Sequence, residues 1–165
     1  MPVFEIREAR PADVDTLMAL IGDLAEYERL SDQFVGTAKQ LHDSLFAEDR
    51  TAYALLAFED DVPVGYAIYF FNFSTFLCRR GLYVEDIYVE PNRRGRGYGK
   101  RLLARLADIA VEKQCGRMEW AVLDWNEPSI RFYESLGARP LSDWTTYRVE
   151  GDGIAAIARS GQPPV

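Results

Sequence analysis

A glycine-rich basic segment, RRGRGYGK, occupies residues 93–100, shortly after the mixed apolar and acidic run GLYVEDIYV at 81–89. Glycines allow a backbone to approach a ligand closely, so that successive main-chain N–H groups can point at a phosphate. Arginine side chains add charge-assisted hydrogen bonds to the same anion. The segment therefore predicts a site for a phosphate-bearing ligand; the alternative is a basic turn at the start of a helix. Its cations, with no acidic residue among them, are Arg93, Arg94, Arg96, Lys100 and Arg101.

The spacing of these glycines excludes two common nucleotide-binding loops. A P-loop requires Ser or Thr after its Gly-Lys pair, but Gly99-Lys100 is followed by Arg101. The dinucleotide fingerprint G-x-G-x-x-G requires a third glycine where Lys100 stands. The pattern that fits is R-x-x-G-x-G, carried by Arg94, Gly97 and Gly99 between a predicted strand and a predicted long helix.

Two adjacent carboxylates, Glu85 and Asp86, lie among apolar residues in the run that precedes the loop. A carboxylate between apolar neighbours in a strand is expected to be partly desolvated, which suits it to act as a base. We therefore take Glu85 as a candidate base and Asp86 as a candidate substrate ligand. The alternative for both residues is an edge-strand charge or a structural hydrogen-bond acceptor.

The composition describes a small acidic protein. Its 165 residues are enough for one domain with a substantial core. The 26 acidic against 19 basic residues give a formal charge of −7, which disfavours nucleic acid and favours small cations as partners. No apolar run approaches the roughly 20 residues that span a bilayer, and residues 1–13 do not resemble a secretory signal. We therefore expect a cytoplasmic protein with no membrane or nucleic-acid partner.

No metal site is expected from the cysteines or the histidine. Cys78 and Cys115 are far apart and form no C-x-x-C pair. The single histidine, His42, falls on a predicted amphipathic helix without other candidate ligands nearby.

Hydrophobic periodicity predicts one mixed α/β domain over residues 1–165, with 160–165 as a frayed end. The inner face of the helix after the glycine loop is predicted to include Leu102, Leu106 and Ile109, and Thr37 and Gln40 are predicted to form a capping box. The predicted strands are 3–8, 51–59, 64–72, 81–89 and 117–123, with strand-like pieces in 144–158. The predicted helices run over about 14–27, 37–46, from the glycine loop to Gly116, and 125–138.

Taken together, these segments resemble the GNAT superfamily of acetyl-CoA-dependent N-acetyltransferases, and within it the diamine (spermidine/spermine) and thialysine group. R-x-x-G-x-G is followed about 30 residues later by N-x-x-S-x-x-F-Y-x-x-x-G. The resemblance covers nearly the whole chain and implies the GNAT fold: an α+β type sheet of six to seven mostly antiparallel strands, flanked by about four helices, with a splayed strand pair at the acetyl-CoA site. The segments that carry it are DLAEYE (23–28), YVEDIYV (83–89), RGRGYGKRLL (94–103) and DWNEPSIRFYESLGA (124–138).

The resemblance implies that acetyl-CoA is the acyl donor and that no metal takes part. By the family pattern, Tyr133 protonates the leaving thiolate and Glu85 removes the acceptor's proton through ordered water. Two alternatives stay open: core packing for Tyr133, and plain helix capping for Asn126 and Ser129. The implied coenzyme contacts are Ile87, Tyr88 and Val89 on the strand, Arg94, Gly95, Arg96, Gly97, Tyr98, Gly99 and Lys100 in the loop, and Asn126 and Ser129 on the next helix.

The acceptor implied by the resemblance is a small cationic primary amine, attacked directly in a ternary complex. For Tyr27 and Glu28, implied to bind this acceptor, the alternative is a solvated helix end. For Trp120 the alternative is core packing. The segment around Asp143 and Trp144 is shorter than in the polyamine enzymes, so a thialysine-like amino acid, another diamine or an antibiotic-like amine fits equally. The rival functions are a protein or peptide acetyltransferase and a non-catalytic acyl-CoA sensor; the family also implies a homodimer. The implied acceptor residues are Tyr27, Glu28, Glu85, Asp86, Glu119, Trp120 and Ala121.

Overall fold

The computed structural model describes residues 1–161, so most of the segment predicted to fray, 160–165, lies outside the described residues. The chain divides into two compact units, Met1–Leu123 and Asp124–Val165. The first unit contains the strands β1 Phe4–Glu8, β2 Tyr53–Glu59, β3 Val62–Ser74, β4 Arg79–Val89 and β5 Met118–Trp120, and the helices α1 Val14–Tyr27, α2 Ala38–Phe46 and α3 Tyr98–Glu112. The second contains the helices α4 Glu127–Ser135 and α5 Asp152–Ser160.

The five strands form one mixed sheet in the order β1-β2-β3-β4-β5. The first four strands pair antiparallel with their sequence neighbours, whereas β5 runs parallel to β4 over a short stretch. The α/β class and the mostly antiparallel sheet predicted from the sequence are confirmed. Short turns join β2, β3 and β4, and α3 provides the crossover that a parallel pair requires.

The number of strands is lower than the six to seven predicted. Residues 144–158 were predicted to supply further strand pieces, but among the residues that the structure describes none beyond Trp120 is in a strand. Instead α5 begins at Asp152, directly after Gly151. The stretch Ile-Ala-Ala-Ile-Ala favours this outcome because alanine has the highest intrinsic helix propensity. The strand predicted at 117–123 is also reduced, to Met118–Trp120.

Two helical layers cover the sheet of the first unit. On one face, Leu17 and Leu20 of α1 and Leu45 of α2 pack with Leu56 and Tyr66 of the central strands. On the other, α3 packs against β4 and buries the face that its sequence predicted, with Leu102 and Leu106 fully buried. The capping box of α2 is confirmed: the Gln40 N–H donates to Thr37 Oγ1 at 3.2 Å, and the Thr37 N–H donates to Gln40 Oε1 at 2.9 Å.

None of the helices between residues 1 and 161 has the length and apolar content needed to cross a membrane.

Candidate active site

A β-bulge interrupts β4 at the pair of carboxylates. Ile68 of β3 lies opposite Asp86, while the next residue, Tyr69, lies opposite Val84. Glu85 is therefore the extra residue of the bulge, without a partner in the β3 register. A bulge bends its strand and redirects the side chains beside it, which explains why two adjacent carboxylates end in different surroundings.

Beyond the bulge, β4 presents main-chain groups on the side from which β5 has diverged. The β4–β5 pairing ends with Val84 opposite Trp120, although β4 continues to Val89. The Glu90 N–H donates to the Val64 carbonyl at 2.9 Å, and hydrogen-bonded pairs alternate along an antiparallel ladder. By that alternation the main chain of Tyr88 is hydrogen-bonded to β3. The N–H and C=O groups of Ile87 and Val89 point to the opposite side of β4, where no strand of the described residues pairs with them.

This divergence of β4 from β5 agrees with the splayed strand pair expected from the sequence. A main-chain edge with unpaired donors and acceptors can bind an extended ligand in the manner of an added strand. Ile87, Tyr88 and Val89 are the residues predicted to bind the coenzyme arm. Their contact with the coenzyme stays a prediction.

The glycine loop continues from this strand through a short 3₁₀ turn into α3. Gly95 and Gly97 have φ values of 77° and 80°, in the left-handed region that favours glycine. A side chain at Gly95, Gly97 or Gly99 would meet no atom of the described residues within 4 Å, so the space in front of this backbone is open. The first N–H groups of α3 have no acceptor within the helix. The loop thus combines open space with main-chain donors, as a diphosphate site requires.

Most of the cations in the loop are already engaged by protein groups. Arg94 donates from Nε to the Val89 carbonyl at 3.0 Å, and its guanidinium lies 4.4 Å from the centre of the Tyr27 ring. Arg96 Nη1 lies 2.9 Å from Glu59 Oε2. Lys100 is exposed at the start of α3.

Glu59, at the end of β2, is the acceptor for three groups of this loop and was not identified from the sequence. It is 4% exposed and receives hydrogen bonds from Arg93, Arg96 and the Tyr98 hydroxyl. The Tyr98 hydrogen bond, together with the two guanidinium charges, lowers the pKa of Glu59 below its usual value. The only sequence signal for this role is an acidic residue closing an otherwise apolar strand.

Asp86, rather than Glu85, is the carboxylate in a low-dielectric setting. The Tyr66 hydroxyl donates to Asp86 Oδ2 at 2.9 Å, and Tyr66 itself is fully buried. Burial, reinforced by the charges of Glu85 and Glu28, raises the pKa of Asp86 to about 6, although the Tyr66 hydrogen bond opposes this. Burial also raises the pKa of Glu28, at the end of α1, and that of the Tyr66 hydroxyl.

The predicted partial burial of Glu85 is wrong. Its side chain is exposed, whereas Asp86 is partly buried. The physical reason is the bulge: strand alternation alone cannot reveal which of two adjacent residues an irregular register turns toward the core. A catalytic role for Glu85 stays a prediction, now for a solvated carboxylate.

An open cleft of about 460 Å³ lies beside α1 and the end of β4. A cleft that combines carboxylates with aromatic side chains suits a cationic ligand, through charge and through contact with the ring faces. Tyr27, predicted to bind the acceptor, contributes to this wall; its neighbour Glu28 belongs instead to the group around Asp86. The side chains that line the cleft include Asp23, Glu26, Tyr27, Tyr88 and Glu90.

The remaining predicted acceptor residues lie on and after β5. Glu119 pairs with Arg117 Nε at 2.8 Å, so its charge is partly neutralised by the residue that precedes β5. Trp120 is half-buried as the last residue of β5, and Ala121 is exposed.

In the second unit, the helix capping given as the alternative for Asn126 and Ser129 is present: Asn126 Oδ1 accepts the Ser129 N–H at 3.4 Å at the start of α4. Tyr133 lies two turns further along α4, half-buried, with its ring centre 5.4 Å from that of Phe132. The roles of these three residues toward the coenzyme stay predictions. No group of three or more potential metal ligands occurs in the described part of the chain.

Comparison with known proteins gives a consistent result. Residues 22–138 match the acetyltransferase (GNAT) family, whose members use acetyl-CoA. The chain is 37% identical to thialysine N-epsilon-acetyltransferase of Sus scrofa over 93% of this chain and 96% of that protein. It is 31% identical to L-ornithine N5-acetyltransferase NATA1 of Arabidopsis thaliana over 92% and 86%. An integron cassette protein of V. cholerae superposes with a TM-score of 0.78 at 28% identity, over 94% of this chain and 98% of that chain. The chain therefore belongs to the GNAT family and is an N-acetyltransferase.

Proposed function

We propose that this protein transfers the acetyl group of acetyl-CoA to a primary amine of a small cationic acceptor: a diamine, a polyamine or a thialysine-like amino acid. The observation that carries the proposal is the partly buried Asp86 of β4, close to Glu28 and hydrogen-bonded by Tyr66. The same strand continues into the edge at Ile87 and Val89, to which no strand of the described residues pairs. A carboxylate that can bind and deprotonate the amine and a main-chain edge that can bind the thioester arm are thereby adjacent along one strand.

The coenzyme is held in two parts. The main-chain N–H groups of residues 95–100 bind the diphosphate, and the edge of β4 at Ile87–Val89 binds the pantetheine arm. An N–H of that edge polarises the thioester carbonyl and stabilises the oxyanion that forms on attack. The open space at Gly95 and Gly97 supports this placement.

The acceptor approaches from the acidic side. Glu28 and Asp86 attract its ammonium group, while Tyr27 and the cleft beside α1 bind the remainder of a cationic molecule. The two relatives described above are named for thialysine and ornithine, both of which carry a primary amine on a side chain. This agreement favours amino acids of that type among the possible acceptors.

The reaction requires a proton to leave the acceptor first, because an alkylammonium with a pKa of about 10 is almost wholly protonated at neutral pH. Asp86 is suited to receive it, since a carboxyl with a pKa of about 6 combines basicity with ionisation at pH 7. Glu85, exposed beside it, takes part through ordered water. The neutral amine then attacks the thioester carbonyl, the carbon–sulfur bond breaks, and the departing thiolate takes its proton from the Tyr133 hydroxyl. The nitrogen, which is positively charged after the attack, gives up its second proton to solvent as the amide forms, and solvent returns a proton to Tyr133.

The sequence expectations of a homodimer and a cytoplasmic location are retained as proposals. Dimer formation is supported by large apolar side chains that the second unit leaves exposed, since a second copy would cover them. The surface proposed for the dimer is α5 together with the segment before it, and light scattering that gave a monomer mass would reject the dimer. These exposed residues are Leu141, Trp144, Tyr147, Val149, Ile154 and Ile157.

A thiol-release screen with acetyl-CoA tests the function directly. The acceptors are thialysine, ornithine, lysine, a diamine, spermidine and a short lysine peptide, each at several concentrations. We expect turnover with at least one small amine and far less with the peptide. Turnover with the peptide alone would favour a protein acetyltransferase, and coenzyme binding without any turnover would favour a non-catalytic sensor.

A further inference from the structure

Glu59 joins the end of β2 to the glycine loop, although 34 to 39 residues separate it in sequence from its partners. Its side chain is almost completely buried, yet those of Arg93 and Arg96 remain 29% and 44% exposed. The two guanidinium groups therefore turn back from solvent toward one interior carboxylate. A carboxylate buried in this way is costly unless it is paired and hydrogen-bonded, and here three donors satisfy it.

Tyr98, the first residue of α3, is fixed at both ends of its side chain. Its ring stacks on Phe4 of β1 with centroids 3.9 Å apart and an angle of 11° between the planes. Its hydroxyl donates to Glu59. Since Gly97 is the N-cap of α3, these contacts determine where the first free N–H groups of the helix point.

The same contacts change the interpretation of the arginines. In the sequence Arg96 was predicted as a coenzyme ligand, but its guanidinium donates to both oxygens of Glu59, at 3.1 and 2.9 Å. Binding a diphosphate through this guanidinium would leave the buried carboxylate with fewer partners, which is unfavourable. Arg96 is thus better placed to shape the loop than to hold the anion.

We propose that Glu59 is a positioning residue for the coenzyme diphosphate: by holding Arg93, Arg96 and Tyr98, it sets the loop so that its main-chain N–H groups converge on the anion before it binds. The inference rests on the proposed function, because it presumes that this loop binds acetyl-CoA. Preorganisation of this kind strengthens binding by removing the cost of ordering the loop. Glu59 has no direct part in the transfer of the acetyl group.

The test compares Glu59→Gln with the wild-type protein by calorimetry with CoA and by steady-state kinetics. Gln keeps the size but loses the charge that retains two guanidinium groups, so we expect the Kd for CoA and the KM for acetyl-CoA to rise at least about tenfold. The kcat at saturating acetyl-CoA should stay within about twofold of wild type, because the reacting groups are untouched. Glu112→Gln, which removes an exposed ion pair with Arg105, is the matched control and should leave all three constants unchanged.

Acetylpantetheine, which carries the thioester but no diphosphate, separates positioning from general damage to the fold. The value of kcat/KM for this donor should be the same in wild type and Glu59→Gln. An equal loss with both donors would overturn the proposal, as would a wild-type affinity for CoA in the variant. Wild-type protein that failed to bind CoA would instead refute the proposed function.

Two further variants keep the proposal testable if Glu59→Gln does not fold. Tyr98→Phe retains the stacked ring and removes one donor, and should raise the Kd for CoA about three- to tenfold. Arg96→Gln should weaken CoA binding through Glu59, so its effect and that of Tyr98→Phe should not add in the double variant. Unchanged affinity in Tyr98→Phe, or strictly additive effects of the two substitutions, would contradict a shared positioning role.

Discussion

Replacing Asp86 with asparagine is expected to make the protein more stable and, at the same time, much less active. The substitution keeps the shape of the side chain, and its amide oxygen can still accept the Tyr66 hydrogen bond. What it removes is a charge in a site that disfavours charge. If Asp86 is the group that receives the acceptor's proton, turnover should fall at least about a hundredfold, as for loss of a general base.

The size of the stability gain follows from the pKa of Asp86. A value of about 6 against the ordinary 3.8 corresponds to about 3 kcal/mol against the ionised form in the folded protein at pH 7.5. The asparagine side chain of the variant avoids this cost but accepts a weaker hydrogen bond than a carboxylate, a loss of about 1–2 kcal/mol. The net gain of about 1–2 kcal/mol should raise Tm by about 3–6 °C for a chain of this length.

The pH dependence of this gain identifies its origin. A carboxyl whose folded pKa is raised destabilises the folded state fully above about pH 6 and not at all below the unfolded value of 3.8. The stability advantage of Asp86→Asn should be complete at pH 7.5. Near pH 4.5 the cost of ionising Asp86 falls to about a third of its full size, which the weaker hydrogen bond of asparagine offsets, so the advantage should be lost at that pH. Urea unfolding at several pH values measures the difference in stability between the variant and the wild type. Thiol release at saturating acetyl-CoA measures the loss of turnover.

Glu85→Gln is the matched control, because it removes the same charge from the adjacent, exposed residue. Its stability should change much less than that of Asp86→Asn, because burial contributes more than the charge of Glu85 to the raised pKa of Asp86. A less stable Asp86→Asn protein at pH 7.5, or an advantage that did not depend on pH, would show that burial of charge at Asp86 has been misjudged. If only Glu85→Gln lost turnover, Glu85 would be the base and Asp86 a structural acceptor.

Other consequences can be tested with the same assays. Glu28→Gln removes a like charge near Asp86, so the acidic limb of the pH profile of kcat/KM should move to lower pH. An unchanged limb would show that the charge of Glu28 does not affect the group whose ionisation limits kcat/KM. Tyr133→Phe should lower turnover strongly while the calorimetric affinity for CoA persists, and unaltered turnover would remove Tyr133 from the mechanism. Gly97→Asp, with φ at 80° and an added negative charge, should weaken CoA binding more than Gly97→Asn, and equal losses would count against an anion at this turn. Raising the ionic strength should increase the KM for the acceptor more than that for acetyl-CoA, and the reverse order would contradict an acidic acceptor side.

The sequence was most informative where structure depends on local pattern. The buried face of α3 follows from apolar residues at three- and four-residue spacing, and the start of α2 follows from Thr37 and Gln40. The left-handed glycines of the loop likewise follow from residue type, since few other residues accept a φ near 80°. Each of these features is decided within a few residues along the chain.

The features that were missed depend on contacts between distant segments. Which of Glu85 and Asp86 is buried is decided by an irregular register between β3 and β4, and Tyr66, the partner of Asp86, lies 20 residues away. The role of Glu59 depends on residues of the following loop that only the folded sheet brings near it. Strand pieces were predicted in 144–158, but α5 begins at Asp152, where the high helix propensity of alanine favours a helix.

The distribution of charge is compatible with the proposal that one acidic protein binds both an anionic coenzyme and a cationic acceptor. At a formal charge of −7 the protein repels a diphosphate at long range, and two arginines of the basic loop are drawn onto Glu59 rather than left to offset that charge at the surface. The anion must therefore be held at short range, by main-chain N–H groups whose dipoles act only over a few ångströms. The cationic acceptor gains from the same long-range field and from the carboxylates beside α1 and on β4. Under the two proposals made here, Arg93 and Arg96 would contribute to coenzyme binding through the shape that they give the loop, while the net charge of the protein would favour the amine.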